Sequence, residues 1–208
     1  MTDFDTLFSG RRVMAILRGY SATRSVELAE RAWDLGISAV EVPAQTPDAL
    51  EALEAVASAA RDRGTSVGAG TVITERQVRT VHAAGAAFTV APGFDPVVAE
   101  ASAALGMPHL PGVADATQLQ RAIGLGLHWV KVFPAAALGE QWFRLMRGPF
   151  PSVKFVATGG MSAENAQRYL TAGADVVAVG SALSDERQLP MLADLLNGDT
   201  TDAEEPSA

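Results

Sequence analysis

Residues 36–64 read GISAVEVPAQTPDALEALEAVASAARDRG, and this stretch decides the fold. It opens on a glycine and an apolar run, Ile37–Val42. A loop follows, carrying Pro43, Gln45 and Thr46. From Pro47 to Arg63 the apolar residues recur at helical spacing, and Gly64 stops the helix as a C-terminal glycine does. One apolar strand, one amphipathic helix and one terminating glycine make a β–α unit.

The same unit repeats outward in both directions. Apolar runs stand at Val13–Leu17, Thr65–Ala69, Ala86–Val90, Met107–Leu110, His128–Phe133, Val153–Ala157 and Asp175–Val179. Ala22–Leu35, Glu75–Ala84 and Pro96–Leu105 are amphipathic segments between them, and Gly36, Gly85, Gly106 and Gly173 stand at helix ends. Strict alternation means parallel strands joined by helical crossovers. Eight units of about 25 residues suit a closed (β/α)8 barrel of one domain, over residues 1–196. An open doubly wound sheet is the lesser reading, because the first turn, Arg18-Gly19-Tyr20-Ser21, has no G-x-G-x-x-G fingerprint. The polar, acidic residues 197–208 read as a disordered tail.

The 208 residues are 48% hydrophobic and 19% charged, ordinary values for a globular chain. A net charge of −8 disfavours nonspecific nucleic-acid binding, which needs a basic surface. With no cysteine, disulfides, zinc thiolates and a thiol nucleophile are excluded. The start, MTDFDTLFSGRRV, lacks the pattern of a signal peptide, and no apolar run approaches the ~20 residues of a membrane span. A soluble cytoplasmic protein without membrane or nucleic-acid partners is the expectation. His82, His109 and His128 are scattered without ligand spacing, so no metal site is expected. Trp33, Trp129 and Trp142 read as core or interface, and Arg11 and Arg12 as surface.

In a (β/α)8 barrel the chemistry stands at the C-terminal strand ends. That rule selects Arg18 after the first strand, Glu41 on the second, Gly70 and Thr71 after the third, and Lys131 on the sixth. Thr158-Gly159-Gly160 follow the seventh strand, and Gly180-Ser181 the eighth. Lys131 and Lys154 are the only two lysines in the chain. Alternation groups Lys131 with Trp129 and Phe133 and turns Val130 and Val132 the other way. An amine facing into the barrel loses hydration, which favours its neutral, nucleophilic form. Lys154 opens the seventh strand, at the opposite end, and reads as solvated. Glu41, grouped by alternation with Ile37 and Ala39, is suited to proton transfer beside an imine, or to a structural ion pair with Lys131. The glycine-rich ends of the last two strands, with Thr158 and Ser181 as hydroxyl donors, suit a phosphate.

These residues lie within motifs that resemble the 2-keto-3-deoxy-6-phosphogluconate (KDPG) and 4-hydroxy-2-oxoglutarate (KHG) aldolases. The motifs are MAILR at 14–18, AVEVP at 39–43, GAGTV at 68–72, APG at 91–93, PGV at 111–113, KVFPA at 131–135, GPFPSVKFVATGG at 148–160 and VGSAL at 179–183. The resemblance implies a class I aldolase without cofactor, Lys131 as the imine-forming lysine and Glu41 as general acid/base. It implies that Thr71 and Phe133 contact the pyruvyl part, and that Gly159, Gly160, Gly180 and Ser181 hold the phosphate. A 2-keto acid and an aldehyde phosphate are the implied small-molecule partners, and a homotrimer the implied assembly.

One position departs from the pattern. Many members carry an arginine for the substrate carboxylate four residues after the glutamate, where this chain has Gln45. Arg18 is the residue placed to supply that charge instead. The stretch Glu41-Val42-Pro43-Ala44-Gln45-Thr46-Pro47 is similar to the 2-keto-3-deoxy-6-phosphogalactonate aldolases, whereas KVFP, GPFP and ATGG are more like the phosphogluconate enzymes. Two other classes stay open on the residues alone. One is a sugar-phosphate isomerase or epimerase with Glu41 as base; the other is a non-catalytic phosphosugar-binding barrel.

Overall fold

The computed structural model describes residues 3–197. The stretch read as a tail lies outside the described residues from 198 onward, and residue 197 ends the last helix. Nine short parallel strands form one sheet: β1 (Val13–Ile16), β2 (Ala39–Pro43), β3 (Gly68–Gly70), β4 (Phe88–Val90), β5 (His109–Leu110), β6 (Gly112–Val113), β7 (Trp129–Val132), β8 (Lys154–Thr158) and β9 (Val176–Val179). Their order is β5-β4-β3-β2-β1-β9-β8-β7-β6. The two ends of that order, β5 and β6, are separated only by Pro111. A single extended stretch therefore pairs with β4 on one side and β7 on the other, and brings the sheet to near closure as a barrel.

The eight-position barrel is thus present, but the fifth position differs from the expectation of one strand over Met107–Leu110. Extended chain begins at His109 and runs to Val113, broken where proline supplies no N–H to the ladder. Backbone bonds carry both sides: Ala91 N–H donates to Leu110 O at 3.0 Å, and Lys131 N–H to Pro111 O at 2.8 Å. Gly112 must lack a side chain, because a β-carbon there would lie 2.2 Å from the carbonyl carbon of Pro92. The third strand also sits later than expected, at Gly68–Gly70 rather than Thr65–Ala69.

Helices α1 (Phe4–Leu7), α2 (Ala22–Asp34), α3 (Pro47–Asp62), α4 (Glu75–Ala83), α5 (Pro96–Ala104), α6 (Ala116–Gly124), α7 (Ala135–Leu138), α8 (Glu140–Arg147), α9 (Ala163–Thr171) and α10 (Leu189–Asn197) complete the chain. Ser21, Thr46, Thr74, Asp95 and Asp115 start α2 to α6, each side chain accepting a backbone N–H of its helix. Such a cap contributes on the order of 1 kcal/mol and marks where each βα loop ends. No described helix is long and apolar enough to cross a membrane.

Strand alternation divides the core in two. Val40, Val42, Val130, Val132, Val177 and Val179 pack outward on the helices. Met14, Ile16, Ala39, Phe88, Val90, Leu110, Val156, Val176 and Ala178 fill the interior. Ile37 belongs to the helix-side core and precedes β2, so it does not share Glu41's face as expected. Phe4, Leu7 and Phe8 join the interior cluster and cover the end of the barrel where the strands begin. Phe4 meets Phe88 edge-on at 5.6 Å, and Phe8 lies 4.7 Å from Trp129, whose indole N–H donates to Asp5. With that end filled, the strand C-termini are the open mouth.

Candidate active site

Lys131 stands on the interior face of β7, 4% exposed, opposite Gly112 of β6 and Val156 of β8. Its Nζ lies 5.5 Å from the centroid of the Phe133 ring. Lys154 is different: at the start of β8 it pairs with Asp175 at 3.4 Å, alongside Arg147. It is exposed, as the sequence suggested, and its solvated ammonium also pairs with Asp175.

Glu41 on β2 is fully buried, and neither carboxylate oxygen has a hydrogen-bond partner among the described residues. In sheet order β2 and β7 stand four positions apart whichever way the barrel is followed, so Glu41 and Lys131 rise on opposite walls. No hydrogen bond joins Glu41 to Lys131, as the alternative of a structural ion pair between them would have required. Space for the carboxylate comes from β3: a β-carbon on Gly70 would fall 1.7 Å from Glu41 Oε1, and one on Gly68 would fall 2.0 Å from the Phe88 ring. The Gly-Ala-Gly of β3 therefore keeps two interior sites free, one for an aromatic floor and one for an acid.

A cleft of about 390 Å³ opens over Lys131. Arg18, Tyr20, Phe133, Thr158, Gly159, Gly160, Gly180 and Ser181 line it, the glycine turns after β8 and β9 lying between Phe133 after β7 and Arg18 and Tyr20 after β1. Gly159 and Gly160 both have positive φ, and a side chain at Gly159 would press on the Phe133 ring at 3.1 Å. Those glycines thus serve packing as well as access. Gly180 leads into a 3-10 turn, Ser181–Ser184, a short extra helix after the last strand.

Across the mouth, Arg18 donates from Nη1 to Gln45 Oε1 at 2.5 Å and from Nη2 to Thr71 Oγ1 at 3.3 Å. Thr71 holds a φ of +58°, a left-handed conformation that costs a β-branched residue on the order of 1–3 kcal/mol. The residues expected at the site thus fall into two groups. Lys131, Phe133, Thr158, Gly159, Gly160, Gly180, Ser181 and Arg18 share the cleft. Glu41 lies beneath the mouth, and Gln45 and Thr71 join through Arg18. Tyr20 lines the cleft without having been singled out from the sequence; its place two residues beyond Arg18, in the first βα loop, was the available signal.

A buried amine, an unpartnered buried acid and a glycine-lined cleft at the C-terminal end of a barrel are the elements of Schiff-base chemistry on a phosphorylated substrate. The sequence model described as "Aldolase: KDPG and KHG aldolase" matches residues 5–193. The chain belongs to this family.

Relatives agree with the assignment. The 2-dehydro-3-deoxy-phosphogluconate aldolase of Treponema pallidum is 37% identical over 160 residues, 76% of this chain and 75% of that protein. The 2-dehydro-3-deoxy-6-phosphogalactonate aldolase of Escherichia coli is 31% identical over 172 residues, 82% of this chain and 83% of that protein. Among solved structures, the KDPG aldolase of Legionella pneumophila, with pyruvate captured as a covalent carbinolamine, superposes with a TM-score of 0.80. It is 32% identical, covering 96% of this chain and 99% of that one.

Proposed function

We propose that this member of the KDPG and KHG aldolase family cleaves 2-keto-3-deoxy-6-phosphogluconate, or its galactonate epimer, to pyruvate and D-glyceraldehyde 3-phosphate through an imine on Lys131. Shortening the substrate to 4-hydroxy-2-oxoglutarate gives glyoxylate in place of the triose phosphate. The observation that carries this reading is the placement of Lys131: an almost fully buried amine on the interior face that lines the cleft.

Lys131 Nζ attacks C2 of the keto acid. The carbinolamine loses its hydroxyl as water, leaving the iminium. Glu41, on the opposite wall, moves the protons of these steps through water. The iminium draws the C3–C4 bonding pair into an enamine as the C4 hydroxyl gives up its proton, so the bond breaks and the aldehyde leaves. Protonation of the enamine at C3 and hydrolysis of the iminium return the lysine and release pyruvate. Arg18, which donates to Gln45 and Thr71, takes the substrate carboxylate in place of the arginine that Gln45 replaces, and those two bonds at the mouth support this role. The turns at Gly159-Gly160 and Gly180-Ser181 receive the phosphate and fix the chain's register over Lys131.

Family resemblance supports a homotrimer, and the sequence pattern of the N-terminal stretch supports a cytoplasmic protein. Exposed Ile73 and Val97 offer apolar surface to such an interface. Sedimentation equilibrium tests the trimer.

The decisive experiment is intact-protein mass after incubation with pyruvate and sodium borohydride, followed by peptide mapping. One reduced pyruvyl adduct on Lys131 is expected. Folded protein that gains no adduct at saturating pyruvate overturns the reading and favours an isomerase or a binding protein. Kinetics with the two epimeric sugar acids then identify the preferred substrate.

A further inference from the structure

We propose that Tyr20 and Ser184 are positioning residues that hold the Gly180–Ser181 turn in the shape that receives the phosphate, and so set the preference for phosphorylated over unphosphorylated keto acids. The proposal rests on the aldolase reading above. Tyr20 follows Arg18 in the loop after β1 and lines the cleft. Its hydroxyl reaches Ser184 Oγ at 3.0 Å, joining residues 164 positions apart. Ser184 Oγ reaches the Ser181 carbonyl at 2.8 Å.

The directions of these two bonds are forced. A carbonyl only accepts, so the one Ser184 proton goes to Ser181, and Tyr20 must donate to Ser184. The result is a relay from the first βα loop to the peptide that borders the cleft. Because a peptide unit is planar, fixing the Ser181 carbonyl also fixes the Ala182 N–H on its other side. Arg31 of α2 adds a second tie, donating to Leu183 O at 3.2 Å. The turn that ends the barrel is thus suspended from the first β–α unit, the same unit that carries Arg18. Both ends of the substrate, carboxylate and phosphate, are referenced to one loop.

Ser184 does not line the cleft, whereas Tyr20 does. Ser184 therefore acts only through the turn, and this difference makes the idea testable. Steady-state kinetics would compare the wild type, Tyr20→Phe, Ser184→Ala and the double variant. The substrates are 2-keto-3-deoxy-6-phosphogluconate and 4-hydroxy-2-oxoglutarate, which has no phosphate. Each single substitution is expected to raise KM for the phosphorylated substrate about fivefold, the effect of one neutral hydrogen bond. In Ser184→Ala, kcat and the KM for hydroxyoxoglutarate stay unchanged, and the double variant is no worse than either single, as for two members of one relay.

An effect of Tyr20→Phe with Ser184→Ala silent makes Tyr20 a direct ligand contact and overturns the proposal. So does an equal rise in KM on both substrates, or no rise at all. A wild type that cleaves neither compound and traps no pyruvate refutes the aldolase reading itself, a result distinct from the others.

Discussion

The carboxyl group of Glu41 occupies the volume that any side chain at Gly70 would need, with Glu41 Oε1 only 1.7 Å from the position of a Gly70 β-carbon. The two residues sit on neighbouring strands and both face the barrel interior. Gly70 has an ordinary φ, so alanine there meets no backbone strain, only the acid. Gly70→Ala is expected to push Glu41 off its site, lowering kcat by about 10²-fold, the low end of what a positioned proton-transfer group contributes. Overpacking should also cost about 1–3 kcal/mol of stability. A variant with wild-type kcat would show that Glu41 has room to move without consequence.

Glu41→Gln keeps the volume and removes the acid. Proton transfer by a positioned group contributes about 10²–10⁴-fold, so kcat should fall by that order. Secondary structure by circular dichroism should not change. Both oxygens are buried without hydrogen-bond partners among the described residues, so thermal melting measures the effect of the amide on stability separately. Retention of full activity would remove Glu41 from the mechanism.

Arg18→Gln tests the relocated carboxylate contact. Loss of a charge-assisted pair of hydrogen bonds, about 1.5–3 kcal/mol, predicts a KM for pyruvate or keto acid raised by at least about tenfold. Gln45→Ala, which frees the Arg18 guanidinium from one of its two anchors, should give a smaller rise in the same constant. An unchanged KM in Arg18→Gln assigns the carboxylate to another group.

His109 carries a pH dependence of stability. It is buried on the helix side of the barrel, its Nδ1 2.8 Å from Thr89 Oγ1, which in turn lies 2.8 Å from Ser102 Oγ. Burial lowers its pKa from 6.5 to about 4, outweighing the opposing charge of Asp95. The unfolded chain therefore binds a proton near pH 6.5 that the folded one refuses until about pH 4. Stability from this group is full above the unfolded value and is lost as pH falls towards 4, by about 2 kcal/mol at pH 5. Urea melts at pH 7.5 and 5 should show that loss, and His109→Asn should reduce it. Equal losses in both proteins would point to other groups.

Much of this was legible in the chain. Alternating apolar runs, helical spacing and glycine stops report local conformational preference, and local preference repeated along the chain dictated a barrel. An interior lysine was readable for the same reason: Val130 and Val132 flank Lys131 with period two, and only one face of a barrel strand can pack on helices. The break of the fifth strand at Pro111 was not readable as such, because a short apolar run does not show which neighbour it pairs with.

What the sequence determined by itself was the order of the units, the faces of their strands and the residue types at their ends. Only the tertiary structure decided which of those ends meet. Barrel closure put Gly70 against Glu41, Gly112 against Pro92, Arg18 between Gln45 and Thr71, and Tyr20 against Ser184. It also turned Phe4 and Phe8 into the floor of the barrel, from a segment too short to display a period. The reason is physical: local propensity acts over a few residues, whereas these contacts join residues far apart in the chain and exist only once the ring of strands has formed.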